Sequence, residues 1–247
     1  LLRIMGGGDL IQSFSSMIFG SREFYTLKKG SIMFADSNST AFYAATVLLF
    51  ASYLSQSTNK RYFLEKLILI IVVILCFSRA ALIALTVVFL IRLVFFNFRK
   101  AWFILLLPVL LGVYIFVFPM IFRYIISDPS FGTKIFILVK SIDYIGSANI
   151  NKLLFGIGFG GGLRILGIWL HNFLITFLVE SGIIGISIIL AFLIAVIKKT
   201  KRKAEYLILF LLISGFSFVP YAIPYFFAIL ALMSIIEDRY DKFTAPR

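Results

Sequence analysis

The chain contains one histidine, His171, which stands where a polar, glycine-rich segment meets a long apolar run. A histidine side chain can take up and return a proton near neutral pH, because its ordinary pKa is about 6.5. His171 is therefore a candidate general base. A single histidine at the start of a helix is also a common structural residue, but an ionisable group at a membrane boundary favours function.

Four basic residues are candidates to bind a phosphate group near this histidine. Arg79 stands between two apolar runs, and Arg164 lies seven residues before His171. A guanidinium stays charged at any depth and offers paired donors to phosphate oxygens. The alternative for each arginine is a side chain that snorkels to lipid headgroups. Arg123 and Lys134 are weaker candidates, because a charged loop face is usually only solvated.

Glycines crowd the segment before His171 and recur in the apolar run after it. The segment that starts with Gly156 and Gly158 spells G-x-G-x-x-G, but a dinucleotide fingerprint needs a preceding strand, which the sequence does not predict. We expect these glycines to let the backbone turn tightly or approach a ligand. On a continuous helix Gly182 would lie about three turns below His171 and allow close packing there. Glu180 would point to the opposite face.

Composition indicates a membrane protein. Hydrophobic residues make up 61% of the chain and charged residues 14%, against about 45–50% and about 25% in soluble domains. We predict an all-α fold, a polytopic transmembrane helix bundle that forms one membrane domain over residues 1–247. The net charge of +13 fits loop residues that set membrane orientation, so nucleic acid is not expected as a partner. The single cysteine, Cys76, excludes a disulfide framework.

The apolar runs predict about seven spans, each near the ~17–25 residues that a membrane helix needs or somewhat shorter. Residues 123–170 would form one long external loop, between spans four and five, that carries short helices, one of them over Lys134–Ile145. The predicted spans are Thr40–Tyr53, Leu67–Phe77, Ala80–Phe96, Trp102–Phe122, His171–Ile197 and two short spans within Leu207–Ile235.

Basic short loops orient these spans, because loops rich in lysine and arginine stay in the cytoplasm. The three basic loops are 60–66, 99–100 and 198–203. Two predicted crossings separate each neighbouring pair of loops, so the three assignments agree. His171, Arg79 and Arg164 would then share the external side of the membrane.

Three stretches of the chain, in this order, resemble the O-antigen ligase/polymerase superfamily of bacterial surface polysaccharide assembly. The first, GSIMFADSNSTAFYA, is similar to the entry to a family span and contains Asn38. The second, LCFSRAALIAL, is similar to a Ser-Arg step between two spans. The third, FGIGFGGG followed by HNFLITFLVESGIIG, is similar to a Gly-x-Gly loop with a His-Asn pair and a His-x10-Gly spacing.

The resemblance implies a metal-independent glycosyltransferase without a cofactor, in the bacterial inner (plasma) membrane, with its active site on the periplasmic or external face. Its partners would be a polyprenyl-diphosphate-linked oligosaccharide donor and acceptor, the lipid bilayer and a chain-length regulator. His171 matches the histidine that activates the acceptor hydroxyl, and Arg79 matches a diphosphate-binding arginine. Asn38, Asn172 and the three glycines, Gly156, Gly158 and Gly182, would be structural.

The chain departs from the family pattern at several positions. Lys134 stands where many relatives carry an arginine, and a lysine keeps the charge but loses the bidentate fork. Ala80 replaces a usual glycine. Relatives have more spans, and the chain opens Leu-Leu-Arg, so we expect the C-terminal part of a longer protein.

We expect a polymerase of lipid-linked repeat units of an O-antigen, capsule or exopolysaccharide. The alternatives are an O-antigen ligase with a lipid A-core acceptor, a non-enzymatic transporter of lipid-linked sugars, and a structural membrane subunit.

Overall fold

The computed structural model describes residues 37–58, 60–97, 129–167, 169–217 and 223–244. Within these residues all regular secondary structure is helical and no strand occurs. The all-α prediction is therefore confirmed for this part of the chain. The helices are α1 Ser37–Thr58, α2 Phe63–Leu75, α3 Arg79–Asn97, α4 Pro129–Ser147, α5 Ile150–Phe155, α6 Gly161–Leu166, α7 Phe173–Lys199, α8 Glu205–Ser214 and α9 Pro224–Thr244, with a 3-10 turn at Gly215–Ser217.

The helices follow the apolar runs of the sequence, with shifted ends. The helix predicted over Lys134–Ile145 is part of the longer α4, and the long predicted loop carries the three helices α4, α5 and α6. The predicted span Trp102–Phe122 and Arg123 lie outside the described residues, as do residues 1–36.

One described helix, α7, is long and apolar enough to cross a membrane. It has 27 residues, and only 22% of its most apolar stretch is buried. This finding supports a protein that associates with a membrane. The 13 residues of α2 extend only about 20 Å at 1.5 Å per residue, less than the ~30 Å hydrocarbon layer. The count of seven spans therefore stays a prediction.

The main core lies where α1, α8 and α9 meet. Phe42 of α1 stacks on Phe210 of α8 with ring centroids 5.2 Å apart, and Phe226 of α9 lies 6.0 Å away. All three rings are buried. Alanines of α1 and α3 belong to the same core, and their small side chains let the helix backbones approach each other.

Hydrogen bonds fix the two ends of α1 to different partners. At its start, the Ser78 hydroxyl next to α3 donates to the Asn38 side-chain oxygen over 2.8 Å. Near its end, the Tyr53 hydroxyl donates to a carboxylate oxygen of Glu237 in α9 over 2.8 Å. The starts of α1 and α3 therefore lie at one end of the helices, and the Tyr53–Glu237 contact lies at the other.

Candidate functional site

A cavity of about 400 Å³ contains His171 and Lys134 in its lining. It lies between the first turns of α3, the middle of α4, the start of α7 and the end of α8. The Ala80 side chain, next to Arg79, also lines it. We call this cavity the histidine cavity; its apolar lining includes Ile83, Ile137, Leu138, Ile175, Ile213 and Phe216.

The residues on either side of His171 fix its position ahead of α7. Asn172 is the N-cap residue, and its side-chain oxygen accepts a hydrogen bond from the Ile175 backbone N–H over 3.1 Å. The Thr176 hydroxyl bonds the carbonyl oxygen of the buried Leu170 at 2.9 Å and that of Asn172 at 2.6 Å. The backbone on both sides of the exposed histidine is therefore held to the first turn of α7.

The first residue of α7 docks on the end of α8. Phe173 is fully buried, and a Cβ added to Gly215 would lie 2.9 Å from the Phe173 Cβ. A side chain at position 215 would therefore separate the two helices. The close approach brings Ile213 and Phe216 into the lining of the histidine cavity beside His171.

A small second core places α4, and with it Lys134, against the start of α7. It consists of Ile137, Leu170 and Val179 with partly buried neighbours. Lys134 precedes Ile137 by three residues and so shares its helix face. Tyr144 packs against the same core, and partial burial raises the pKa of its phenol, which keeps it neutral.

Arg79 lies beside the histidine cavity rather than in its lining. It is the half-buried first residue of α3. The hydroxyl of Ser78, which donates to Asn38, also accepts the Ala81 backbone N–H at 3.4 Å. The Ser-Arg step is thus tied to the start of α1, and two stretches that carry the family resemblance are in direct contact.

Within the described residues, one other predicted phosphate ligand, Arg164, is not brought to the cavity. Arg164 is exposed in the last turn of α6 and does not line the histidine cavity. Arg164 is close to His171 in sequence, but the two residues do not line the same cavity, because the end of α6 and the turn at Gly167 lie between them. Arg123 lies outside the described residues. Among the described candidates, only Lys134 lines the cavity together with His171.

The prediction of a continuous helix from His171 to Gly182 is wrong. The helix begins at Phe173, and Gly182 interrupts it with φ 68° and ψ −170°, a conformation that is essentially restricted to glycine. An added Cβ at Gly182 would overlap the Leu154 carbonyl group, and one at Gly156 would overlap the Glu180 carbonyl group. The two glycines therefore allow the end of the helix α5 to meet α7. Close approach of a second helix at Gly182 does occur, but at a break in α7 and not on the face of a continuous helix.

The break in α7 leaves two backbone carbonyls for the glycine-rich segment. The N–H of Ile157 donates to the carbonyl of Val179 over 3.1 Å, and that of Gly158 donates to the carbonyl of Glu180 over 2.9 Å. These bonds replace helical ones that the kink removes. Gly156 and Gly158 both have positive φ angles, so the segment can run close along α7.

Glu180 has a structural role that its spacing from His171 on a continuous helix did not predict. Its side chain is 3% exposed, and a carboxylate oxygen accepts the Gly162 backbone N–H at 3.2 Å in the first turn of α6. It therefore holds the glycine-rich segment to α7. Its position in an apolar run could have signalled this role, because a buried carboxylate needs a hydrogen-bonding partner.

The described residues contain no group of three histidine, cysteine, aspartate or glutamate side chains that could hold a metal ion. The chain matches no protein-family model, no curated protein and no solved structure. The proposed function therefore rests on the geometry of the histidine cavity and of the residues around it.

Proposed function

We propose that this chain is part of a polytopic membrane glycosyltransferase that polymerises polyprenyl-diphosphate-linked oligosaccharide repeat units. Its product is a bacterial surface polysaccharide, and its site faces the outer side of the inner membrane. The observation that carries the proposal is the histidine cavity, where the only histidine and Lys134 line one apolar-walled space beside Arg79. Transfer of a sugar from a diphosphate donor uses a base to deprotonate the acceptor hydroxyl and a cation to stabilise the leaving diphosphate, and this cavity holds a candidate for each.

The proposed reaction uses these groups in defined roles. His171 removes the proton from a sugar hydroxyl of the acceptor. The hydroxyl oxygen bonds to the anomeric carbon of the donor sugar while the bond from that carbon to the diphosphate oxygen breaks. The polyprenyl diphosphate leaves with the electron pair of that bond. The Lys134 ammonium, with Arg79 next to the lining residue Ala80, stabilises the negative charge that grows on the diphosphate.

Exposed apolar side chains support the membrane setting of this reaction. Phe63 of α2, Phe89 of α3 and Ile188 of α7 are between 65% and 74% exposed. Large apolar side chains exposed on several helices are typical of a surface that contacts lipid or a protein partner. A lipid-linked donor needs such a surface, because its polyprenyl chain stays in the hydrocarbon layer.

A cell assay of surface glycan tests the roles of His171 and Lys134. We expect His171→Ala to lower polymer formation by about 100-fold or more, the usual range for a lost general base. Lys134→Ala should lower it about tenfold or more. The matched control is Lys152→Ala, an exposed lysine outside the cavity. Undiminished polymer with His171→Ala, at normal protein level by immunoblot, would contradict the proposal.

A transfer assay with the purified full-length protein separates the proposal from its alternatives. With a lipid-linked repeat unit as both donor and acceptor, a polymerase releases polyprenyl diphosphate and lengthens the glycan. A ligase releases polyprenyl diphosphate only when a lipid A-core acceptor is supplied, and it transfers the glycan to that acceptor. A transporter or a structural subunit releases no polyprenyl diphosphate with either acceptor, and that result would overturn the enzyme assignment.

A further inference from the structure

A second cavity of about 410 Å³ lies at the other ends of α3 and α8. Its lining includes Lys66 of α2, Arg92 of α3 and Lys203 in the turn before α8. We call this cavity the basic groove. Its walls are otherwise mostly apolar and include Leu48, Leu49, Ile70, Leu85, Val88 and Phe89. The basic groove shares no lining residue with the histidine cavity.

Two of the three cations in the basic groove lack a carboxylate partner among the described residues. The Lys203 ammonium is bound by both carboxylate oxygens of Glu237, at 2.7 and 2.9 Å, so its charge is balanced. The Lys66 ammonium instead donates to a neutral serine hydroxyl of α1 over 2.7 Å. The Arg92 guanidinium lies over the ring of Tyr206, 5.8 Å from the centroid. The groove therefore carries an excess of positive charge.

The basic groove opens toward an apolar exterior. Phe89, Leu90 and Ile70 line it and also expose much of their side chains on the outer surface of α3 and α2. A water-soluble anion would gain nothing from these walls. An anion with an attached hydrocarbon chain would bury both the chain and the exposed apolar side chains.

We infer that the basic groove binds an anionic phospholipid. The headgroup phosphate contacts Lys66 and Arg92, and one acyl chain lies along the apolar walls. A lysine or arginine near an anionic lipid surface strengthens binding by about fivefold, and basic pockets between membrane helices commonly hold such headgroups. This inference does not depend on the transferase reaction, because the two cavities are separate.

The first test compares two lipids on the purified full chain in a neutral detergent. Phosphatidylglycerol and phosphatidylcholine with the same acyl chains are added, and bound lipid is counted by native mass spectrometry. We expect at least tenfold tighter binding of phosphatidylglycerol, together with a rise in the thermal unfolding midpoint. Equal binding of both lipids would overturn the inference.

Charge variants locate the headgroup. We expect Lys66→Gln and Arg92→Gln each to weaken phosphatidylglycerol binding about fivefold. Phosphatidylcholine binding should change less, because its choline cation offsets the charge of its phosphate. Lys60→Gln and Arg61→Gln are matched controls, because both residues are exposed and neither lines the groove. Controls that weaken binding as much as the groove variants would show a diffuse surface effect and overturn the site. Unfolding midpoints without lipid identify any variant that fails to fold.

A filling variant tests the place of the acyl chain. Thr86 lines the groove from an exposed position, so Thr86→Trp can occupy the space without entering the core. We expect it to weaken phosphatidylglycerol binding, while the control Ile74→Trp, on the exposed face of α2, does not.

Inorganic phosphate tests whether the bound anion is a phospholipid headgroup or free phosphate. If inorganic phosphate alone binds as tightly as the phospholipid, the acyl chain contributes nothing to binding and the inference is wrong.

Discussion

Two adjacent acidic residues of α9 have very different surroundings. The Glu237 side chain is 2% exposed and accepts hydrogen bonds from the Lys203 ammonium and the Tyr53 hydroxyl. The Asp238 side chain is 51% exposed and pairs with Lys199 over 2.8 Å. An exposed ion pair contributes little to stability, whereas a buried acceptor that is lost leaves its hydrogen-bond donors without a partner. Only Glu237 of the Lys203–Glu237 pair is buried, since the Lys203 side chain is 40% exposed.

We predict that Glu237→Gln lowers the free energy of unfolding by about 1–3 kcal/mol, because an amide group replaces one of the two buried acceptor oxygens that bind Tyr53 and Lys203. Asp238→Asn should change it by less than about 0.5 kcal/mol. Chemical unfolding of the purified chain in detergent measures both. Equal effects of the two substitutions would contradict the difference in burial that the prediction uses.

We predict that Glu180→Ala destabilises the glycine-rich segment more than Glu180→Gln does. Alanine leaves the buried Gly162 N–H without its acceptor, which costs about 1–3 kcal/mol, whereas glutamine keeps a carbonyl oxygen at that place. Hydrogen exchange should therefore be faster around residues 156–167 in Glu180→Ala. Unchanged exchange there would show that another group satisfies Gly162.

At the residue scale, the sequence predicted only part of the site. His171 could be singled out because it is the only histidine and because it borders an apolar run. The cavity partner was less predictable, since Lys134 and Arg164 are both basic residues in the same predicted loop. Lys134 lines the cavity and Arg164 does not, because the core of Ile137, Leu170 and Val179 packs α4 against α7. Sequence spacing carries no information about that contact.

At the element scale, the break in α7 gives the sharpest prediction. We expect Gly182→Ala to cost about 3 kcal/mol or more, because the side chain meets both an unfavourable φ/ψ and the backbone of α5. The control is Gly167→Ala, which has φ 68° but open space around it, so only backbone strain of about 1–2 kcal/mol remains. Unfolding free energies measure both, and equal costs would exclude close packing at the break.

The helices themselves were more predictable than the break. Long apolar runs indicate helices wherever they lie, and α1, α3 and α7 follow such runs with shifted ends. Gly182 was expected to allow close packing, but helical spacing assumes that the helix continues through it. The carbonyls of α7 at the break are bonded by the N–H groups of residues 157 and 158, which follow α5 and are distant in sequence from the break. A break stabilised by a neighbouring element is invisible to local periodicity.

At the scale of the whole molecule, the two cavities lie along successive stretches of the same helices. The histidine cavity borders Ala80 and Ile83 of α3, and the basic groove borders the stretch from Leu85 to Arg92, which ends twelve residues beyond Ala80. Twelve residues correspond to about 18 Å of helix. The end of α8 borders the first cavity and its start borders the second, so both helices pass from one cavity to the other.

If the chain spans a membrane as proposed, the two ends of these helices face opposite compartments. Cys76, the only cysteine, is buried, so Cys76→Ala provides a background for single new cysteines. We predict that a membrane-impermeant maleimide labels Asn151→Cys in spheroplasts and Lys60→Cys only in inverted membrane vesicles, because basic short loops remain cytoplasmic. Both positions are exposed, so access depends on sidedness alone. Labelling of both from the same side would contradict the proposed orientation of the histidine cavity and of the basic groove together.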